Sequence, residues 1–266
     1  MKSLRTIMVA LVGLVPAVAL AHDAEVQDSH PPLHVDPYIK SCSVRFAPEL
    51  TQGAFHRFVT EFGSVSAFKV SSPPVTLGRR GVEIGIEEFS FGVDEGSHAW
   101  NDTFYHPHAD HPLGSNQAFP KVRLRAGVTD RLDLGAYYTV NPQANYGWFG
   151  LDAKYGLLKQ SDTMPVSLAV RGAYTKTLYV DDMNMDAVTA DVQAGRTYGR
   201  FMPYLGLGSD LVVARETSSA VALHSETMMV PRALGGLQVR WWRMALGGEV
   251  HVGALTSYQV DVASVF

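Results

Sequence analysis

The last nine residues, Tyr258-Gln-Val-Asp-Val-Ala-Ser-Val-Phe266, alternate without interruption. Tyr258, Val260, Val262, Ser264 and Phe266 fall on one face, and Gln259, Asp261 and Ala263 on the other. Successive side chains of a strand point to opposite sides, so a period of two over this length predicts a strand with one apolar face. Working back from it, the same alternation recurs in Gly81–Gly92, Phe119–Val128, Arg131–Val140, Tyr146–Leu157 and Pro165–Thr175. It continues in Asp186–Ala194, Phe201–Val213, Met228–Arg240 and Arg243–Gly253, which with Thr256–Phe266 makes ten segments. The first slips in phase near Glu88, which suggests a bulge.

The faces opposite the apolar ones carry charge on nearly every segment. By phase this second set is Glu83, Glu87, Lys121, Arg123, Arg125, Asp133, Asp152, Lys154, Arg171, Asp191, Asp210, Arg232, Arg240, Arg243, Glu249 and Asp261. Acids and bases are equal in number, and neighbouring segments tend to carry opposite signs. A soluble sandwich would bury its apolar faces against each other and turn the charges to water. An antiparallel transmembrane β-barrel does the reverse, with apolar residues outward and polar residues inward. Buried charges are tolerated only when paired, so the balanced signs predict a lumen filled by ion pairs rather than a pore biased toward one ion. The fold expected is therefore all-β: an antiparallel transmembrane barrel of ten strands, with eight or twelve satisfying the same parity.

Composition is consistent with this. Mean hydropathy is near zero and net charge is −4, as alternating walls give, and there is no basic footprint for nucleic acid. Past the first twenty residues no apolar run is long enough for a spanning helix. Residues 1–21 read as a cleavable export signal: Lys2 and Arg5, then the apolar run Ile7 to Leu20, then Ala19-Leu20-Ala21, with the mature chain starting at His22. Residues 22–80 read as a separate segment. It opens rich in His, Asp and Pro, and places Phe55, Phe58, Val59 and Phe62 at helical spacing within an amphipathic helix at about 48–68. With the barrel at 81–266, that helix is expected to cap or enter the mouth where the first strand begins, on the periplasmic side.

Few residues suggest chemistry. His106, His108 and His111, with Asp110, sit in one Pro-interrupted loop and have the side chains that bind Zn²⁺ or Cu²⁺, against the simpler reading of a solvated polar loop. His22, His30 and His34 invite the same two readings. Cys42, the sole cysteine, cannot close an internal disulfide. His224 with Ser225, or His251 with Ser257, are the only pairs to propose for nucleophilic catalysis, and adjacent strand residues face opposite ways. Without a nucleophile elbow, phosphate loop or zincin spacing, an enzyme is not expected, and no cofactor is implied. Tyr138, Tyr146, Trp148, Tyr174, Trp241, Trp242 and Tyr258 fall near strand ends, where an interfacial girdle would place them.

The chain resembles a diffuse group of small proteobacterial outer-membrane barrel proteins of unassigned function. The resemblance is carried by Ala47-Pro-Glu-Leu-Thr, by Pro74-Val-Thr-Leu-Gly-Arg-Arg-Gly-Val-Glu-Ile-Gly85, by Pro203-Tyr-Leu-Gly-Leu-Gly208 and by the terminal Phe266. It implies a Gram-negative outer-membrane location with residues 22–80 in the periplasm. It also implies that the barrel assembly machinery reads Tyr258 and Phe266, and that outer-membrane lipid and lipopolysaccharide surround the wall. The resemblance supplies no catalytic residues and no oligomeric state. The role it leaves is structural or a narrow solute transport, with binding of an ion, lipid or partner through the longer loops as the alternative and a lipid-modifying enzyme behind both.

Overall fold

The computed structural model describes residues 31–141 and 144–266. The export signal and the expectations for His22 and His30 lie outside these residues. Before the barrel come two short strands, β1 (His34–Val35) and β2 (Ser43–Val44), and helix α1 (Gln52–Ser66). Barrel strand β3 (Val82–Gly92) is followed by a one-turn helix α2 (His98–Asn101) and by β4 (Phe104–His106). The wall continues with β5 (Asn116–Gly127), β6 (Leu132–Val140), β7 (Gly147–Leu158), β8 (Ser167–Leu178) and β9 (Met183–Gly195). It is completed by β10 (Phe201–Glu216), β11 (Glu226–Trp241), β12 (Met244–Val252) and β13 (Thr256–Val265).

Ten of these strands, β3 and β5 to β13, pair with their neighbours into a closed antiparallel barrel. The seam runs between β13 and β3, from Ser257 opposite Phe91 to Val265 opposite Glu83. Closure leaves no strand of the wall as a free edge, so the wall main chain is paired on both sides over the shared length of neighbouring strands. The outer face is apolar and exposed, with Ile86, Val122, Leu205, Leu207 and Val260 all more than half exposed. Among the described residues no helix is long and apolar enough to cross a membrane; the crossing elements are strands of 9 to 16 residues.

The alternation is regular across Glu88. β3 keeps its register with both neighbours, Glu88 points outward, and Phe89 and Phe91 are buried inside. The apparent slip was a change of inward chemistry from carboxylate to aromatic, and the one register shift in the wall lies at Gly156/Leu158 of β7.

Short turns, the first barrel residue Val82 and the last, Phe266, mark one end of the barrel, where Val82 N donates to the Phe266 carbonyl. We call it the turn end. The long connections gather at the other, the loop end. Helix α1 sits at the loop end, not beside the first strand. Gln52 exchanges hydrogen bonds with the main chain of His224, His56 pairs with Glu226 at 2.9 Å, and the cap Thr51 accepts from Ala54 N. The expectation of a helix at the mouth where β3 begins is corrected by the chain between them. Residues 67–77 run extended down the lumen, and about 11 residues can span roughly 36 Å. At the bottom Gly78, at φ +78°, starts the turn into β3, with Arg80 N bonded to the Gly127 carbonyl. Gly127 has no side chain there because the Gly78 carbonyl occupies the place of a Cβ.

Candidate functional site

The lumen has two layers. At the loop end the inward residues are aromatic. Phe55, Phe58 and Phe62 on α1 meet Phe46, Trp100, Phe104 and Trp148, with Phe58 and Phe62 stacked at 4.9 Å and Phe119 edge-on to Trp148 at 5.0 Å. The i, i+3, i+4, i+7 spacing of α1 puts its apolar stripe on one side, and the stripe packs inward while Arg57 and Glu61 pair along the exposed side. Beside this cluster, β4 bonds to β1 and β2 in a small sheet, so the long 93–115 connection folds onto the N-terminal segment.

Toward the turn end the lumen is ionic. Arg171 and Arg232 both reach Asp191, at 2.7 and 2.6 Å. Arg123 holds Glu83 at 2.9 Å and also pairs with Asp261, Lys154 lies 3.4 Å from Asp133, and Arg125 lies 3.5 Å from Asp152. Lys121 lies 3.7 Å from Glu87 and 3.8 Å from the centre of the Phe89 ring. Glu249 accepts from Tyr204 and pairs with His251 at 2.6 Å. Fourteen of the sixteen residues assigned inward by phase are buried here. Arg240 is half-buried at the turn-end rim, where it donates to Gln238. Arg243 is exposed, its guanidinium 5.5 Å from the Trp242 ring: it belongs to a turn, where strand phase does not extend, and lines no lumen.

The residues not anticipated are those of the strap, 67–77, and they explain what the wall cations hold. Arg232 donates to the Phe68 carbonyl, Lys121 to that of Lys69, Arg171 to Val70 and Arg123 to Ser71, at 3.4, 2.9, 2.9 and 2.7 Å. Lys154 donates to the carbonyls of both Pro73 and Val75, at 3.0 and 2.9 Å. In the opposite sense Ser71 N donates to Glu87 and Leu77 N to Asp133. An extended chain cannot bond its own main chain, and these groups are far from water, so the wall supplies the partners. The recognition is nearly all main chain. The one strap ion pair is Lys69 with Asp210, at 2.8 Å. A strap held this way shows almost no side-chain pattern, which is why its role is not visible in the sequence.

The histidine loop divides. His106 is buried and His111 half-buried, and their Nδ1 atoms lie 3.2 and 3.4 Å from Cys42 Sγ. Burial pushes the Cys42 thiol up to about 11 and lowers His106 from the usual histidine value. His108 turns away to pair with the exposed Asp110. Among the described residues no three His, Cys, Asp or Glu side chains are grouped to hold a metal ion, and the three histidines do not converge on one point. His34 lies 3.5 Å from Asp102. His251 and Ser257 are register partners on β12 and β13, yet His251 is engaged by Glu249 and Arg232 and shares no hydrogen bond with Ser257. Of the girdle aromatics, Tyr138, Tyr174, Trp241, Trp242 and Tyr258 are exposed, whereas Tyr146 and Trp148 are buried in the aromatic layer.

No family model matches the chain, and no curated protein matches it. Among solved structures the chain is similar to outer-membrane proteins. An outer-membrane channel of Pseudomonas putida F1 is 11% identical over 75% of this chain and all of its own, with a TM-score of 0.46. The KdgM porin is 12% identical over 70% of this chain and 99% of its own, at 0.34. A bacterial polysaccharide outer-membrane secretin is 9% identical at 0.37, and the match spans 56% of each chain. With identities this low, the barrel stands on the strand pairing of this chain itself.

Proposed function

We propose that this chain is an outer-membrane barrel whose lumen is closed by its own N-terminal strap, and that it carries small solutes when the strap is withdrawn. The observation behind this reading is the strap itself, clamped by Arg232, Lys121, Arg171, Arg123 and Lys154 along the full depth of the ionic layer. The exposed apolar wall suits hydrocarbon, because an apolar surface of that extent is otherwise covered. The turn end, with Phe266, is assigned to the periplasm and the loop end to the outside, so α1 and its neighbours lie outside, against the expected periplasmic place of residues 22–80. The purely structural reading differs only in that the strap never leaves.

The deciding measurement is single-channel conductance of the refolded chain in a planar bilayer, native and with Phe62→Ala, Lys154→Met and Arg171→Met combined, so that both layers of the lumen are loosened. A silent native chain with discrete openings in the variant supports a strap-gated path. Silence in both, with heat-modifiable gel migration showing folded barrels, removes transport and leaves the structural role.

A further inference from the structure

Charge is distributed along the barrel axis in a way the lumen does not use. The turn-end segments 78–81, 128–131, 158–166, 196–200 and 240–244 contain eight Lys or Arg and two Asp. The loop-end segments 31–66, 93–118, 176–186 and 214–227 contain five Lys or Arg against twelve Asp or Glu. The two ends also differ in pairing. Three of the five loop-end cations, Arg45, Arg57 and Lys176, sit on Asp36, Glu61 and Asp186, and only Lys40 and Arg215 have no ion pair among the described residues. At the turn end the exposed cations of all four hairpin turns, Arg131, Lys159, Arg196, Arg200 and Arg243, have no ion pair among the described residues. Three of them lie over aromatic rings instead: Arg196 over Tyr198 at 5.0 Å, Arg200 over Trp241 at 4.6 Å and Arg243 over Trp242 at 5.5 Å.

We infer that the turn-end rim is a collar for the phosphate headgroups of anionic glycerophospholipids, of which phosphatidylglycerol is the simplest. The inference rests on the barrel reading above. Unpaired cations on every turn form a ring rather than a patch, and a ring fits what surrounds a barrel on all sides. The rim borders apolar wall, with Phe201, Met244 and Phe266 each more than half exposed, so an acyl chain can lie on the wall while its phosphate meets a guanidinium. Exposed Trp and Tyr beside Arg take the headgroup level in just this manner. The acidic loop end offers phosphate no such place.

The test is to refold the native chain and a variant with Arg131→Gln, Lys159→Gln, Arg196→Gln and Arg200→Gln into vesicles of phosphatidylethanolamine containing equal minor fractions of phosphatidylglycerol and a lipid A-type phosphoglycolipid. The barrels are then extracted into detergent and their retained lipids measured by native mass spectrometry. The variant loses four cations from the rim, so the native chain should retain phosphatidylglycerol over phosphatidylethanolamine at least about tenfold more selectively than the variant. Raised salt should erase the difference. Equal selectivity in the two proteins, or a native preference that salt leaves intact, overturns the collar. Both proteins must show heat-modifiable folding in vesicles; failure of the native chain to insert at all would refute the barrel reading rather than the lipid one. Retention of a lipid A-type phosphoglycolipid equal to that of phosphatidylglycerol would also overturn it, since the rim would then not select the glycerophospholipid.

Discussion

Replacing Arg123 tests the inward face and the strap together. Arg123 is 3% exposed, and its guanidinium serves three acceptors: Glu83, Asp261 and the Ser71 carbonyl. Arg123→Met keeps most of the volume and removes every donor, so two carboxylates and a carbonyl are left facing each other in a dry interior. Removing one partner from a buried ion pair costs about 3–5 kcal/mol, and the abandoned carbonyl adds about 1–3. Arg125, 3.9 Å from Glu83, takes over part of one interaction, which puts the expected loss near the lower bound of that sum, about 4 kcal/mol. With a urea slope of about 2–3 kcal/mol per molar, the midpoint of unfolding should fall by about 1 M or more. The assay is urea unfolding in detergent micelles, followed by fluorescence of the tryptophans. Lys159→Met, in an exposed turn, is the control and should leave the midpoint in place. Adding Asp261→Asn to Arg123→Met should recover part of the loss, because it removes one of the stranded charges. Equal tolerance of the Arg123 and Lys159 changes would refute the inward assignment and, with it, the clamped strap.

Three further outcomes follow from the geometry. Gly150 leaves room for the Tyr137 and Phe68 rings, so Gly150→Ala should overpack the strap's upper end and cost about 1–3 kcal/mol in the same unfolding assay; a neutral result would mean that Phe68 is not seated there. Deleting Phe266, whose N–H and carbonyl both bond Val82, should slow or abolish assembly into the heat-modifiable form, and normal assembly would remove its role as a signal. Cys42, with its thiol raised to about 11 by burial, should react slowly with maleimides in the folded protein at neutral pH and quickly once unfolded. A thiol held above its unfolded value stabilises the fold fully below that value, so the contribution is present below about pH 8.5 and lost as pH rises toward 11. His106, whose charged form burial disfavours, works from the other side: acidification through the ordinary histidine range loosens the same sheet. Protection of Cys42 from labelling that did not change across these ranges would contradict both.

What the sequence made legible was the part of the molecule that obeys one period. Phase alone assigns fourteen of the buried lumen charges, because a wall strand has only two faces and the membrane-facing one admits no charge. The same rule applied to Trp148 would have turned it inward with Asp152 and Lys154, since all three are even-numbered on β7; reading it by its place near a strand end assigned it outward. Arg243 failed for the opposite reason, as phase was carried past the strand into a turn. The helix was legible through Phe55, Phe58, Val59 and Phe62, but its position was not. Its position depends on residues 67–77, which are recognised through carbonyls that every residue has. β1, β2 and β4, with two or three residues each, are too short to carry a period and exist because the loop and the N-terminal segment lie side by side.

The two layers of the lumen also differ in how they could yield. Counting the wall alone, eight buried acids face six buried Lys and Arg; the strap adds Lys69, and its carbonyls engage donors that the carboxylates leave over. Were the strap drawn out, water could enter and satisfy those same cations, because a bridging water is nearly as good a partner as a carbonyl. The ionic layer therefore opposes withdrawal only weakly in net terms, however strong each bond is in the dry state. The aromatic layer has no such substitute. Separating Phe55, Phe58 and Phe62 from Trp100 and Phe104 exposes apolar surface that water cannot compensate, at about 25 cal/mol per Å². If the barrel opens, the energy that keeps it shut resides in the helix and the 93–115 connection at the loop end. A mutation such as Phe62→Ala should then raise the frequency of openings more than the loss of any single wall cation.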